Sequence, residues 1–168
     1  MRVWVIALIL FINVTIQSTV LPFINICGAM PDTLLILVIS FAILSGNPMG
    51  PVVGFFGGLI QDILFGNAIG VFAMQYMIIG YIVGLTYNKI YVGQVILPMA
   101  FAFASTIIKH LMLFVYVFFA KADFPVNGSF LYTILIEAVY SALLMPVIYH
   151  YMTKLYKYKF MTKKFYFK

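Results

Sequence analysis

Four ionisable side chains interrupt apolar sequence in this chain: Asp62, Lys109, His110 and Glu137. Asp62 sits on a ladder of four-residue steps, Gly50, Gly54, Gly58, Asp62, Gly66 and Gly70. Steps of four drift by only about 40° around a helix, so Gly50, Gly54, Gly58 and Asp62 share one broad face. Glycines on such a face let another backbone approach closely, the small-xxx-small device of membrane helix packing. Gly80 and Gly84 offer a shorter example. An ionised carboxylate facing lipid is costly, so Asp62 must turn toward protein, water or a cation. Two roles fit it: a polar contact at the end of a tight helix seam, bonded by the backbone of residues 66–70, or a ligand or proton site.

Lys109 and Glu137 fall at depths that differ by only about 4–5 Å when their segments run side by side. They are expected to form an intramembrane ion pair, which fixes helix register more than it adds stability. Glu137→Gln is then expected to hurt folding, and Lys109→Met to rescue it in part. His110 points about 100° away from its neighbour and alone signals neither metal nor catalysis. Asn13, Gln17, Gln61 and Gln75 are expected to bond between helices, each contributing roughly 1 kcal/mol or less. No phosphate loop, HExxH or GxSxG occurs, and the single Cys27 excludes an internal disulfide and a multi-cysteine metal site. No catalytic residue, cofactor or metal is assigned, and the chain reads as a non-enzyme.

The elements that must position these groups are membrane helices. Of 168 residues, 65% are hydrophobic and 8% charged, with a mean hydropathy of +1.12. A soluble domain of this length could not hide so much apolar surface, whereas a bilayer accepts it. Proline, glycine and charge divide the chain into about six apolar segments, near 3–23, 33–45, 51–65, 70–87, 94–120 and 129–152. The second and third are short for a crossing, which takes about 20 residues, and such segments often border a protein-lined interior. Pro31-Asp32-Thr33 suits a helix start. The first segment reads as a retained span rather than a cleaved leader.

Residues 1–152 are therefore expected to form a polytopic all-α domain, followed by a basic aromatic tail over 153–168. Lys154, Lys157, Lys159, Lys163, Lys164 and Lys168 crowd that tail. Because they directly follow an apolar span, they point to the cytoplasmic face and to anionic lipid, and not to nucleic acid. With six spans, both termini are cytoplasmic.

The stretch PDTLLILVISFAILSGNPMGPVVGFFGGLIQDILFGNAIG resembles the signature region of the bacterial rod-shape-determining MreD family. The matching residues are Pro31, Asp32, Leu34 and Leu35, then Gly54, Phe55, Gly58, Leu59 and Asp62, then Gly66 and Gly70; Thr33 stands where leucine is expected. The resemblance implies a non-enzymatic role in the cell-wall elongation machinery of the bacterial inner membrane. It implies association with MreC, and through it with the MreB filament, the RodA polymerase and a class B penicillin-binding protein. It also implies a fold similar to the S-component of energy-coupling-factor vitamin transporters, a likeness that does not carry transport with it. On this reading the glycine face is a helix seam, either internal or receiving the partner's span. The rivals are an S-component proper, with Asp62, Lys109 or Glu137 on substrate, a small proton-coupled carrier, and a structural subunit of another membrane complex.

Overall fold

The computed structural model describes residues 2–19, 23, 29–66, 68–87, 95–120 and 128–156. Six α-helices hold most of the described residues: α1 (Arg2–Thr19), α2 (Thr33–Ser45), α3 (Met49–Phe65), α4 (Val71–Gly84), α5 (Ile96–Ala120) and α6 (Gly128–Tyr156). Cys27 and the tail lysines 157, 159, 163, 164 and 168 lie outside the described residues. Lys154 is exposed in the last turn of α6, which continues past the expected boundary at Met152.

The middle of the fold is α2. Its sequence, TLLILVISFAILS, is apolar on every side, a pattern that belongs inside a protein rather than at its surface. Leu34, Leu35, Ile36, Val38, Ile39 and Phe41 are fully buried, and α2 packs against all five other helices. Asp32 starts the helix, its Oδ1 accepting the Leu35 N–H at 2.9 Å, and Gly46 ends it by donating to the Ala42 carbonyl at 2.9 Å. At that end the Ser45 and Tyr156 hydroxyls stand 2.6 Å apart, tying α2 to the last turn of α6.

Against this centre α3 and α4 form the closest helix pair. A Cβ on Gly50 would lie 2.6 Å from the Gly80 carbonyl oxygen, and one on Gly58 would lie 2.5 Å from Ala73 Cα. A Cβ on Gly54 would run into the Tyr76 carbonyl. The glycine face is thus filled by the backbone of α4, and Gly80 is a mutual partner of Gly50. The seam is internal.

Two helices are long and apolar enough to cross a membrane, over Ile96–Phe119 and Tyr132–Tyr156. The others are apolar but shorter; α2, with 13 residues, rises only about 20 Å against a hydrocarbon core of about 30 Å. Large apolar side chains cover the outside, among them Trp4, Phe11, Ile63, Ile96, Phe118 and Tyr151. The short helices α2 and α4 begin beside buried side chains, Asp32 and Asp62. Their terminal N–H groups then need partners from the protein itself.

Candidate functional site

Two buried acids meet that need, and both do so at helix N-termini. Asp62, 1% exposed, lies in the last turn of α3 beside the start of α4. Its Oδ2 accepts the N–H groups of Gly70 at 2.9 Å and Ala73 at 3.0 Å, and its Oδ1 that of Phe72 at 2.9 Å. One carboxylate therefore takes three N–H groups at the start of the next helix, where the macrodipole also favours a negative charge. Gly70 makes the turn possible, with a left-handed φ of 104° that a side chain would strain. Gly66 closes α3, its N–H on the Asp62 carbonyl at 3.0 Å. These last two glycines serve the turn and not the helix face. Asp62 acts as the cap of α4.

The second acid, Asp32, caps α2 and does more. Its Oδ2 accepts the Tyr76 hydroxyl at 2.6 Å and Lys109 Nζ at 2.9 Å. Lys109 in turn stands 2.6 Å from Glu137 Oε1. His110 closes the far side of Glu137, with Nε2 3.2 Å from Oε2, while its Nδ1 stands 3.0 Å from the Thr106 carbonyl oxygen. The Asp32 backbone N–H reaches Ser141 Oγ at 3.4 Å. Asp32, Lys109 and Glu137 are all buried. This lock joins α2, α4, α5 and α6 through charge-assisted bonds, which gain strength where water is scarce and penalise loss of any one partner.

Sequence reasoning placed Lys109 and Glu137 together and missed that Asp32 and Tyr76 belong with them. The signal was available: a helix apolar all round must be central, so the acid that caps it is buried and requires a cation. His110, set aside as pointing away from Lys109, contacts Glu137 from the next position around α5. Of the four amides expected to bond between helices, Asn13 Oδ1 accepts from Thr33 Oγ1 at 3.5 Å. Gln17, Gln61 and Gln75 leave their Oε1 atoms buried without a partner. Gln17 and Gln61 share a cavity of about 160 Å³ with Asp32, Lys109 and Glu137. Among the described residues no group of three His, Cys, Asp or Glu side chains is arranged to hold a metal ion.

Among the family-motif residues, Pro31, Leu34, Leu35, Gly54 and Gly58 are buried, Leu59 is half-buried and Phe55 faces outward. The arrangement orders helices around α2. No curated protein and no solved structure matches the chain. Rod shape-determining protein MreD, as a family, matches residues 1–155. That span takes in the glycine seam, both acid caps and the lock. The chain belongs to the MreD family of rod shape-determining membrane proteins.

Proposed function

We propose that this chain serves rod-shape determination as a non-enzymatic, multi-pass scaffold of the cell-wall elongation complex. The observation that carries the reading is the family match over residues 1–155. Consistent with it, the residues behind the likeness go into internal order: Asp32 and Asp62 cap helices, and Gly50, Gly54 and Gly58 bring α3 onto α4.

All six helices cross the inner membrane, in an arrangement akin to the S-component fold. Both termini are cytoplasmic, and the basic tail beyond α6 rests on anionic lipid. The partner is MreC, and through it the chain meets MreB, RodA and a class B penicillin-binding protein. Because α4 occupies the glycine face, MreC binds an outward, lipid-facing surface instead.

Mass spectrometry of proteins co-purifying with a tagged copy, gently solubilised from native membranes, tests this. Recovery of a single-span periplasmic coiled-coil protein with MreB or the wall synthase is the expected result. Recovery of ATP-binding-cassette subunits with a shared coupling protein overturns it in favour of vitamin uptake.

A further inference from the structure

A groove of about 440 Å³ runs between α4 and α5, bordered by Phe55 of α3 and by Ile69 in the turn that leads into α4. Its volume falls in the range of about 300–1,000 Å³ typical of ligand clefts. The walls are almost wholly apolar, with Met74 from α4 and Met112 and Val115 from α5. One amide stands among them: Gln75, 3% exposed, on the α4 wall. Its Oε1 is sealed inside the protein without a partner, and among the described residues no hydrogen bond holds its Nε2. With the oxygen out of reach, the end of the amide left for the groove is the NH2 group, a donor. Gln75 and Met112 share the wall, and from Met112 α5 runs on to Ala120, a further rise of about 12 Å. In a chain that crosses the membrane, the amide therefore lies among acyl chains, below the headgroups.

That donor decides between the possible occupants. Acyl chains carry no acceptor, and folded proteins rarely leave a buried donor unpaired. A second copy presenting the same groove sets donor against donor, because its own Gln75 oxygen is equally sealed. A helix from another protein supplies what both lack. Its apolar side chains fill the walls, and one hydroxyl or amide oxygen accepts from Gln75, the kind of bond that membrane helices make with each other. We propose that the groove between α4 and α5 docks one membrane-spanning helix of a partner protein, apolar along the contact and carrying a Ser, Thr, Asn or Gln side chain against Gln75. The identity of that partner rests on the scaffold reading above, whereas the groove, its depth and its donor do not.

Photo-crosslinking of the full chain in native membranes tests this. The photoreactive residue p-benzoylphenylalanine replaces Met74 or Val115, both exposed on the groove. Phe56 on α3 and Val147 on α6, exposed elsewhere, serve as control positions. Positions 74 and 115 are expected to capture one single-span protein, identified by mass spectrometry and the same one that co-purifies, while the controls do not. Gln75→Leu is expected to weaken that association about 3–10-fold in competition with wild type, the worth of one interhelical hydrogen bond. Capture of lipid alone, of a second copy or of a multi-span protein at both groove positions overturns the proposal. Capture of the co-purifying protein only at the controls also overturns it, and leaves the scaffold reading intact with its interface elsewhere. If no elongation protein co-purifies, yet positions 74 and 115 capture another single-span protein whose yield Gln75→Leu lowers, the scaffold reading fails and the groove stands. If Gln75→Leu does not fold, the positions of capture decide, since Met74 and Val115 are exposed and tolerate replacement.

Discussion

Lys109 and Asp32, 77 positions apart, meet through a 2.9 Å bond inside the fold, and the same ammonium reaches Glu137 at 2.6 Å. One cation thus answers to two carboxylates, one at the start of the central helix and one on α6. The consequence is an asymmetry between the three residues. Lys109 is the shared partner, and each acid depends on it, but neither acid is its only support.

Lys109→Met should be the most damaging single change in the lock, because it strands two buried carboxylates. A loss of about 3–5 kcal/mol is expected, enough to deplete folded protein. Glu137→Gln should cost less, since Lys109 keeps Asp32. The double variant Glu137→Gln/Lys109→Met should not recover, contrary to the expectation from a two-residue pair, because Asp32 remains uncompensated. Adding Asp32→Asn should restore folded yield in part. Detergent-resistant monomer yield and Tm in nanodiscs read all four.

Tyr76→Phe isolates the neutral arm of the same cluster. It removes the hydroxyl that donates to Asp32 Oδ2 at 2.6 Å but leaves Lys109 in place. The ring is fully buried and is kept by phenylalanine, so packing is preserved. The expected cost is about 1.5–3 kcal/mol, that of a bond to a charged acceptor. A Tm equal to wild type would mean that Lys109 alone satisfies Asp32.

Periodicity and punctuation made the helices legible, because apolar runs, Pro31-Asp32 and the glycine ladder each report on local backbone. The ladder also marked one face of α3 as a close seam, since the need for close approach is written in residue size, but not that α4 fills it. That Asp32 is buried and needs a cation could be read from the all-apolar α2 it caps, but that Lys109 is the cation it meets could not. That pairing depends on how the helices pack. The empty partnerships of Gln17 and Gln61 were invisible for the same reason: a glutamine's spacing says nothing about whether a donor awaits it.

The glycine face allows a comparison between neighbours. Gly54→Ala and Gly58→Ala push a methyl into the backbone of α4, at the Tyr76 carbonyl and at Ala73. Backbone cannot turn aside, so each should cost about 1–3 kcal/mol through overpacking. Gly57→Ala meets only the Leu34 and Leu10 side chains, at 3.2 and 3.4 Å. Those methyl ends can shift by a few tenths of an ångström, and removing a helix-interior glycine offsets the strain by about 0.5–1 kcal/mol. Gly57→Ala should therefore be near neutral. Melting the three variants side by side checks the seam; equal losses at all three would place the close contact elsewhere.

Asp62 separates capping from proton chemistry. As a cap it needs acceptor oxygens, and Asp62→Asn keeps one oxygen where the carboxylate uses two. Whichever oxygen the amide retains, either Phe72 or the Gly70 and Ala73 pair loses its acceptor. Asp62→Asn is thus expected to cost about 1–2 kcal/mol, and Asp62→Ala about 2–3 kcal/mol, as three N–H groups lose their partner near the start of α4. Hydrogen exchange should quicken first at Gly70, Phe72 and Ala73, ahead of the rest of α4. Cell shape should then follow the amount of folded protein across the two variants. If Asp62→Asn folds to the wild-type level yet abolishes rod shape, the carboxylate has a role beyond the cap, and the proton-site reading returns.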